Sequence, residues 1–157
     1  MNIAILVTGS RCVDLLPWNA KVFDALNHFT LGAERIIVIH GACPNPKTKR
    51  GERIKSVSID MLAHKWASSE DAGENVIEMA FPADWKLGRK AGPIRNVLMV
   101  DTLRALTDSG HWFECVLAFH PDLENSSGTR HTVQYARKNG FQVLLNDGQQ
   151  SEHLHAR

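Results

Sequence analysis

Five short apolar runs, at residues 3–7, 36–39, 76–79, 116–119 and 143–145, alternate along this chain with stretches of helical period. Each run is rich in aliphatic residues and too short for a buried helix, the pattern of strands covered on both faces. Between them Trp18, Val22, Ala25, Leu26 and Phe29 recur at helix spacing, as do Ile59, Leu62, Ala63 and Trp66. Residues 94–106 are apolar around most of a helix's circumference. Residues 127–139 carry Val133 and Ala136 on one face before Gly140, which suits a left-handed helix stop. That order requires right-handed crossovers and predicts an α/β, doubly wound, mainly parallel five-stranded sheet with helices on both faces. In such a sheet ligands bind beyond the carboxyl ends of the strands.

The 157 residues suit one domain, 1–145, and a polar tail, 146–157, expected to fray or to pack on a neighbouring subunit. Residues 43–55 interrupt the alternation. Pro44, Asn45, Pro46 and Gly51 break regular structure, and Lys47, Lys49, Arg50, Arg53 and Lys55 face only Glu52, which predicts a flexible basic insertion. Over the whole chain 18 Lys and Arg balance 17 Asp and Glu, so neither nucleic acid nor an acidic membrane is expected as the main partner. Any anion site must be local. The first residues hold no basic leader and no long apolar stretch, so the expectation is a cytoplasmic protein without signal peptide or membrane span. Cys12, Cys43 and Cys115 are odd in number and widely spaced, which argues for reduced thiols.

Four loops fall at the ligand edge of the predicted sheet: 8–11, 40–42, 80–92 and 120–127. In the third, Gly92-Pro93 is expected to open a helix with proline at its first position, leaving free amides beside Arg95 and Asn96 in the first turn. Asn125-Ser126-Ser127-Gly128-Thr129 opens the next helix in the same way; Ser127 either caps it or joins Gly128 and Thr129 around a phosphate. Gly9, Ser10 and Arg11 follow the first strand, where small residues let backbone amides approach an anion. Trp85 can stack on a base or pack as a lid, and Asp84 beside it can hold a ribose or base edge. Asp60 either complements a helix dipole or serves as a reactive carboxylate. His131 either lines the pocket or acts as acid or base. Neither His40 with Cys43 nor His153 with His155 shows metal-ligand spacing, and no Gly-x-Ser-x-Gly elbow occurs, so neither a metal, a cofactor nor serine hydrolysis is expected.

A set of segments spread over most of the chain carries a family resemblance. They are Val7-Thr8-Gly9-Ser10-Arg11, Ile39-His40-Gly41-Ala42, Asp60 with Ala63-His64-Lys65-Trp66-Ala67, Pro82-Ala83-Asp84-Trp85 with Gly88-Arg89, Ala91-Gly92-Pro93 with Arg95-Asn96 and Met99, Ala118-Phe119, and Gly128-Thr129. Together they resemble the SLOG superfamily, the Rossmann-like fold of the Lonely Guy phosphoribohydrolases, the DNA-processing protein A and the YspA-like proteins, and most of all its YspA branch. The resemblance implies a nucleotide or nucleotide-derived small molecule at the sheet edge, a site that includes Gly41, and a homodimer. In the phosphoribohydrolase branch an arginine on the third helix and a glutamate just after a Gly-Thr pair cleave an N-glycosidic bond. Arg95 matches the first, whereas Arg130, His131 and Thr132 stand where the acid belongs, and the basic insertion replaces a short turn after Gly41-Ala42. The expectation is therefore a sensor or sequestering module. The alternative is an N-glycosidase in which Arg95 neutralises charge and Asp60, Asp84 or Glu124 supplies the carboxylate; single-stranded nucleic-acid binding is the third reading.

Overall fold

The computed structural model describes residues 1–149. Strand β1 (Asn2–Gly9) leads through a two-residue strand β2 (Val13–Asp14) into helix α1 (Leu15–Thr30), followed by β3 (Arg35–His40), β4 (Ser56–Val57), α2 (Ile59–Ala67), β5 (Val76–Ala80), α3 (Ala91–Asp108), β6 (Phe113–Phe119), α4 (Gly128–Lys138) and β7 (Val143–Asn146). Five strands form one all-parallel sheet in the order β5-β3-β1-β6-β7. The chain steps outward from β1 to β3 and β5, then crosses back to build β6 and β7 on the other side. This reversal is the Rossmann-like, doubly wound arrangement.

Side chains alternate across each strand, so β1 feeds two separate cores. Ile3, Ile5 and Val7 pack with Val22 and Leu26 of α1 and with Ile59, Leu62 and Trp66 of α2. Ala4 and Leu6 face the other way, against Met99, Val100 and Leu103 of α3 and Ala136 of α4. Trp66 is completely buried, and its Nε1–H donates to Asn27 Oδ1 at 2.8 Å, tying α2 to α1. Burying a side chain of this kind contributes roughly 1.5–3 kcal/mol, and the polar tip is satisfied as well.

Several local expectations need correction. Helix α3 begins at Ala91, so Pro93 is its third residue and Arg95 lies in the second turn. Proline is tolerated there because the first amides of a helix have no partner within it; Pro17 takes the same place in α1. Helix α4 is not capped by Ser127, which makes no side-chain capping bond; Ser126 Oγ instead accepts from Thr129 N–H at 3.2 Å. Nor is α3 buried all round: Asn96, Met99, Val100 and Leu103 face inward, while Ile94 and Leu98 stand 44% and 51% exposed. The short antiparallel pair of β2 with β4 has no counterpart in the sequence pattern, because two-residue strands leave no periodic signal. The 43–55 segment contains no helix or strand. At the start of the tail, Gly148 packs on Trp18, where an added Cβ would lie 3.0 Å from Cζ2. Residues 150–157 of the tail, His153 and His155 among them, lie outside the described residues.

Candidate functional site

The point where strand order reverses, between β1 and β6, is where the connections that follow two neighbouring strands leave in opposite directions and open a crevice. Here the crevice is a cavity of about 590 Å³. Its floor comes from the end of β1 and from His120, just after β6, one wall from α3 and the opening of α4, and the other from Gly41, Cys43 and Asp60. That volume is within the range of small-molecule sites.

Gly9 makes the floor possible. A Cβ there would lie 2.6 Å from Ile59 Cγ1 and would also strike the Phe119 carbonyl oxygen. Only a residue without a side chain lets β6 and α2 close in on β1 together. Ser10 N–H continues the ladder to Phe119 O at 3.0 Å, and Ser10 O accepts from Ile59 N–H, also at 3.0 Å, so the turn carrying Ser10 and Arg11 is held from both sides.

The Gly41 wall is built by charged groups. Arg95 donates to the carbonyl oxygens of Gly41 and Phe81, and its Nε donates to Asn96 Oδ1 at 2.8 Å. Asp60 Oδ2 accepts from Cys43 N–H at 3.0 Å. A Cβ on Gly41 would sit 2.8 Å from Arg95 Cζ and 3.0 Å from Asp60 Oδ2, so both groups converge on this glycine. Burial pushes the Asp60 carboxyl above the usual carboxylate range, against the opposing pull of the Cys43 amide, His40 and Arg95. Burial also lowers the Arg95 pKa, and Asp60 opposes that shift. The Cys43 thiol is raised, first by burial and then by Asp60, so it is a poor nucleophile.

Ala42, with φ 52°, occupies the left-handed region that glycine favours. His40 holds it there: the buried imidazole accepts from Ala42 N–H through Nδ1 at 3.0 Å. The proton must then sit on Nε2, which donates to Glu78 Oε1 at 2.7 Å, and Glu78 also contacts His64 Nδ1 at 2.7 Å. His40, His64 and Glu78 bring their donor atoms within 4.8 Å of one another. A metal-bound imidazole normally donates its second N–H to an acceptor, whereas the second nitrogen of His40 faces a donor. The triad fits a hydrogen-bonded clamp between α2 and the sheet edge.

The opening is cationic and aromatic. Arg11, Arg89 and Arg95 all line the cavity, and the Arg11 guanidinium lies 5.7 Å from the centre of the half-exposed Trp85 ring. Thr8 and Thr129 are each 6% exposed and line the cavity, and neither hydroxyl has a partner among the described residues. His120 accepts from Asp122 N–H through Nδ1 at 2.9 Å, and burial lowers its pKa against the opposing effect of Asp122.

Gly9, Ser10, Arg11, Gly41, Asp60, Trp85, Arg95, Asn96, Ser127, Gly128, Thr129 and His131, all singled out from sequence, line this one cavity. Asp84 does not; its Oδ1 accepts from Lys86 N–H at 3.2 Å and caps the turn formed by Trp85–Lys90. Glu124 is also outside, with its carbonyl bound by Arg130. Thr8, in the 8–11 loop, lines it too; Arg89 and His120 were not singled out as lining residues, although each falls in a loop at the ligand edge.

No family model matches the chain, and no curated protein is significantly similar to it. Among solved structures, the FMN-dependent cysteine decarboxylase TvaF from thioviridamide biosynthesis aligns over 92% of this chain and 89% of its own, with 12% identity and a TM-score of 0.34. A likeness that low carries no functional content. No helix among the described residues is long and apolar enough to cross a membrane.

Proposed function

We propose that the cavity binds the phosphate-bearing end of a nucleotide or nucleotide-derived small molecule, as a sensor or sequestering module. The observation that carries this reading is the imbalance of its lining among the described residues: three arginines, the opening turn of α4 and two threonine hydroxyls without a partner there, against a single carboxylate, Asp60, already engaged by backbone. Such a lining favours an anion. Trp85 at the mouth offers an apolar face for a base. The sequence motifs are our ground for assigning the chain to the SLOG superfamily, near its YspA branch.

Turnover by N-glycosidic cleavage is the second reading. Among the described residues Asp60 is the one carboxylate of the cavity, and a buried acid with a raised pKa can stabilise a developing ribosyl cation only after losing its proton. Thr132, near the place of the expected acid, donates to the Gly128 carbonyl at 3.2 Å. Both features favour binding over hydrolysis. The exposed cations of the 43–55 segment, which starts at the cavity wall, suit a ligand with more than one phosphate.

Incubation with nucleoside mono- and diphosphates, cyclic nucleotides and ADP-ribose, scored for thermal shift and free base, separates the readings. A shift without base release supports the binder. Base release supports the hydrolase, and no response to any compound refutes both. We further propose a cytoplasmic homodimer, in which Leu87, Ile94 and Leu98, all exposed, would be covered by a second copy. Light scattering at the monomer mass of 17.5 kDa would exclude the dimer.

A further inference from the structure

Arg95, Asn96 and His131 are joined in one chain of hydrogen bonds whose direction can be assigned. Arg95 Nε–H can only donate, and it donates to Asn96 Oδ1 at 2.8 Å. That settles which end of the Asn96 amide is which. Nδ2 points the other way, toward the Gly128 carbonyl and His131 Nδ1, each at 3.4 Å. The Gly128 carbonyl can only accept, so the assignment is required twice. A ring nitrogen that accepts from an amide carries no proton, and in neutral imidazole the proton is then on Nε2. The Asn96 side chain is buried, at 4% exposed. His131 lines the cavity, and its Nε2 has no partner among the described residues.

We propose that His131 is a specificity-determining residue, an uncharged Nε2–H donor to a phosphate oxygen in the cavity, and that Asn96 is the positioning residue that fixes its tautomer. The inference rests on the anion-binding reading above and narrows it. His120 repeats the device, since Asp122 N–H occupies its Nδ1 and leaves Nε2–H as the donor. Two imidazoles held in this way reject groups that can only donate and accept groups that can only accept. The same tautomer has a chemical consequence: a nitrogen that already bears its proton cannot take another, so His131 Nε2 is not a general base.

Long-range proton–nitrogen correlation spectra of the ¹⁵N-labelled protein without ligand read the tautomer directly, and the expected form of His131 is Nε2–H. Asn96→Asp preserves shape but presents an acceptor to Nδ1, so the proton should move to Nδ1 and Nε2 should lose its donor. Titration with inorganic phosphate should shift the His131 Nε2 resonance in the wild type and bind about tenfold more weakly in Asn96→Asp. Added negative charge alone would weaken binding without inverting the tautomer. His131→Gln, which keeps a nitrogen donor near the Nε2 position, should retain most of the phosphate affinity that His131→Ala loses; this pair decides the matter if Asn96→Asp does not fold. A wild-type Nδ1–H tautomer, or equal phosphate affinity in His131→Ala and the wild type, overturns the proposal and leaves the anion-binding reading standing. Failure of the wild type to bind phosphate also overturns the proposal, and overturns the anion-binding reading with it where no nucleotide gives a thermal shift.

Discussion

Arg95 donates to the carbonyl oxygen of Gly41, a residue 54 positions earlier in the chain, just after β3. The bond joins the third helix to the opposite wall of the cavity, and it needs a glycine because a Cβ would lie 2.8 Å from the guanidinium carbon. Gly41→Ala should therefore displace Arg95 and cost about 1–3 kcal/mol of stability through overpacking. Arg95→Ala leaves the Gly41 and Phe81 carbonyls without this donor and should cost a similar amount, roughly 1–3 kcal/mol. Urea denaturation of both variants checks this, and unchanged midpoints would show that Arg95 does not brace the wall.

Trp85 is 58% exposed at the cavity mouth, whereas Trp18 and Trp66 are 7% and 0% exposed in the core. If a base stacks on it, ligand should quench the fluorescence of the wild type and not that of Trp85→Phe. Quenching that survives in Trp85→Phe would remove the indole from the site.

The two serines before α4 should behave differently. Ser126→Ala removes the acceptor for Thr129 N–H and should cost about 0.5–2 kcal/mol. Ser127→Ala removes no capping bond and should change stability by less than about 0.5 kcal/mol. Thermal melts of the pair provide the test, and equal losses would contradict the assigned cap.

Glu78 contributes to stability in a pH-dependent way. Burial raises its pKa, but hydrogen bonds from His40 and His64 outweigh that effect and the net shift is downward. A carboxylate whose pKa is lower in the folded state adds stability above its unfolded value, about 4.3, and that stability is lost as the pH falls through the folded value. The denaturation midpoints of wild type and Glu78→Gln should therefore differ at pH 6 and converge as the pH falls below about 4. A gap that widens on acidification would reverse the sign assigned here.

Much of this architecture was legible in the sequence because its strongest signals are periodic. The apolar runs marked all five sheet strands, although β6 starts three residues earlier than its run, at the exposed Phe113. Glycines and hydroxyls at the ends of β1 and β3 and before α4 marked the cavity, since close backbone approach demands them. What stayed hidden depends on three-dimensional partners. Nothing local distinguishes Ser126 from Ser127 as the cap, or shows that the Asp84 carboxylate turns back to its own backbone. His64 and Glu78 are 14 positions apart and on different elements, so no spacing rule joins them to His40.

The pairing of β2 with β4 bears on how such a chain can change. Val13 and Asp14 meet Val57 and Ser56, Leu15 N–H donates to Lys55 O, and at the other end Ser58 binds both Asn45 and the Cys43 carbonyl. Both ends of the basic segment are thus fastened by bonds that do not involve its middle. Closure entropy grows only with the logarithm of length, so doubling such a segment costs about 0.6 kcal/mol. Insertions, deletions and charge changes between residues 46 and 54 need not move Asp60 or Gly41, which leaves the cavity and its cationic neighbour free to diverge at independent rates.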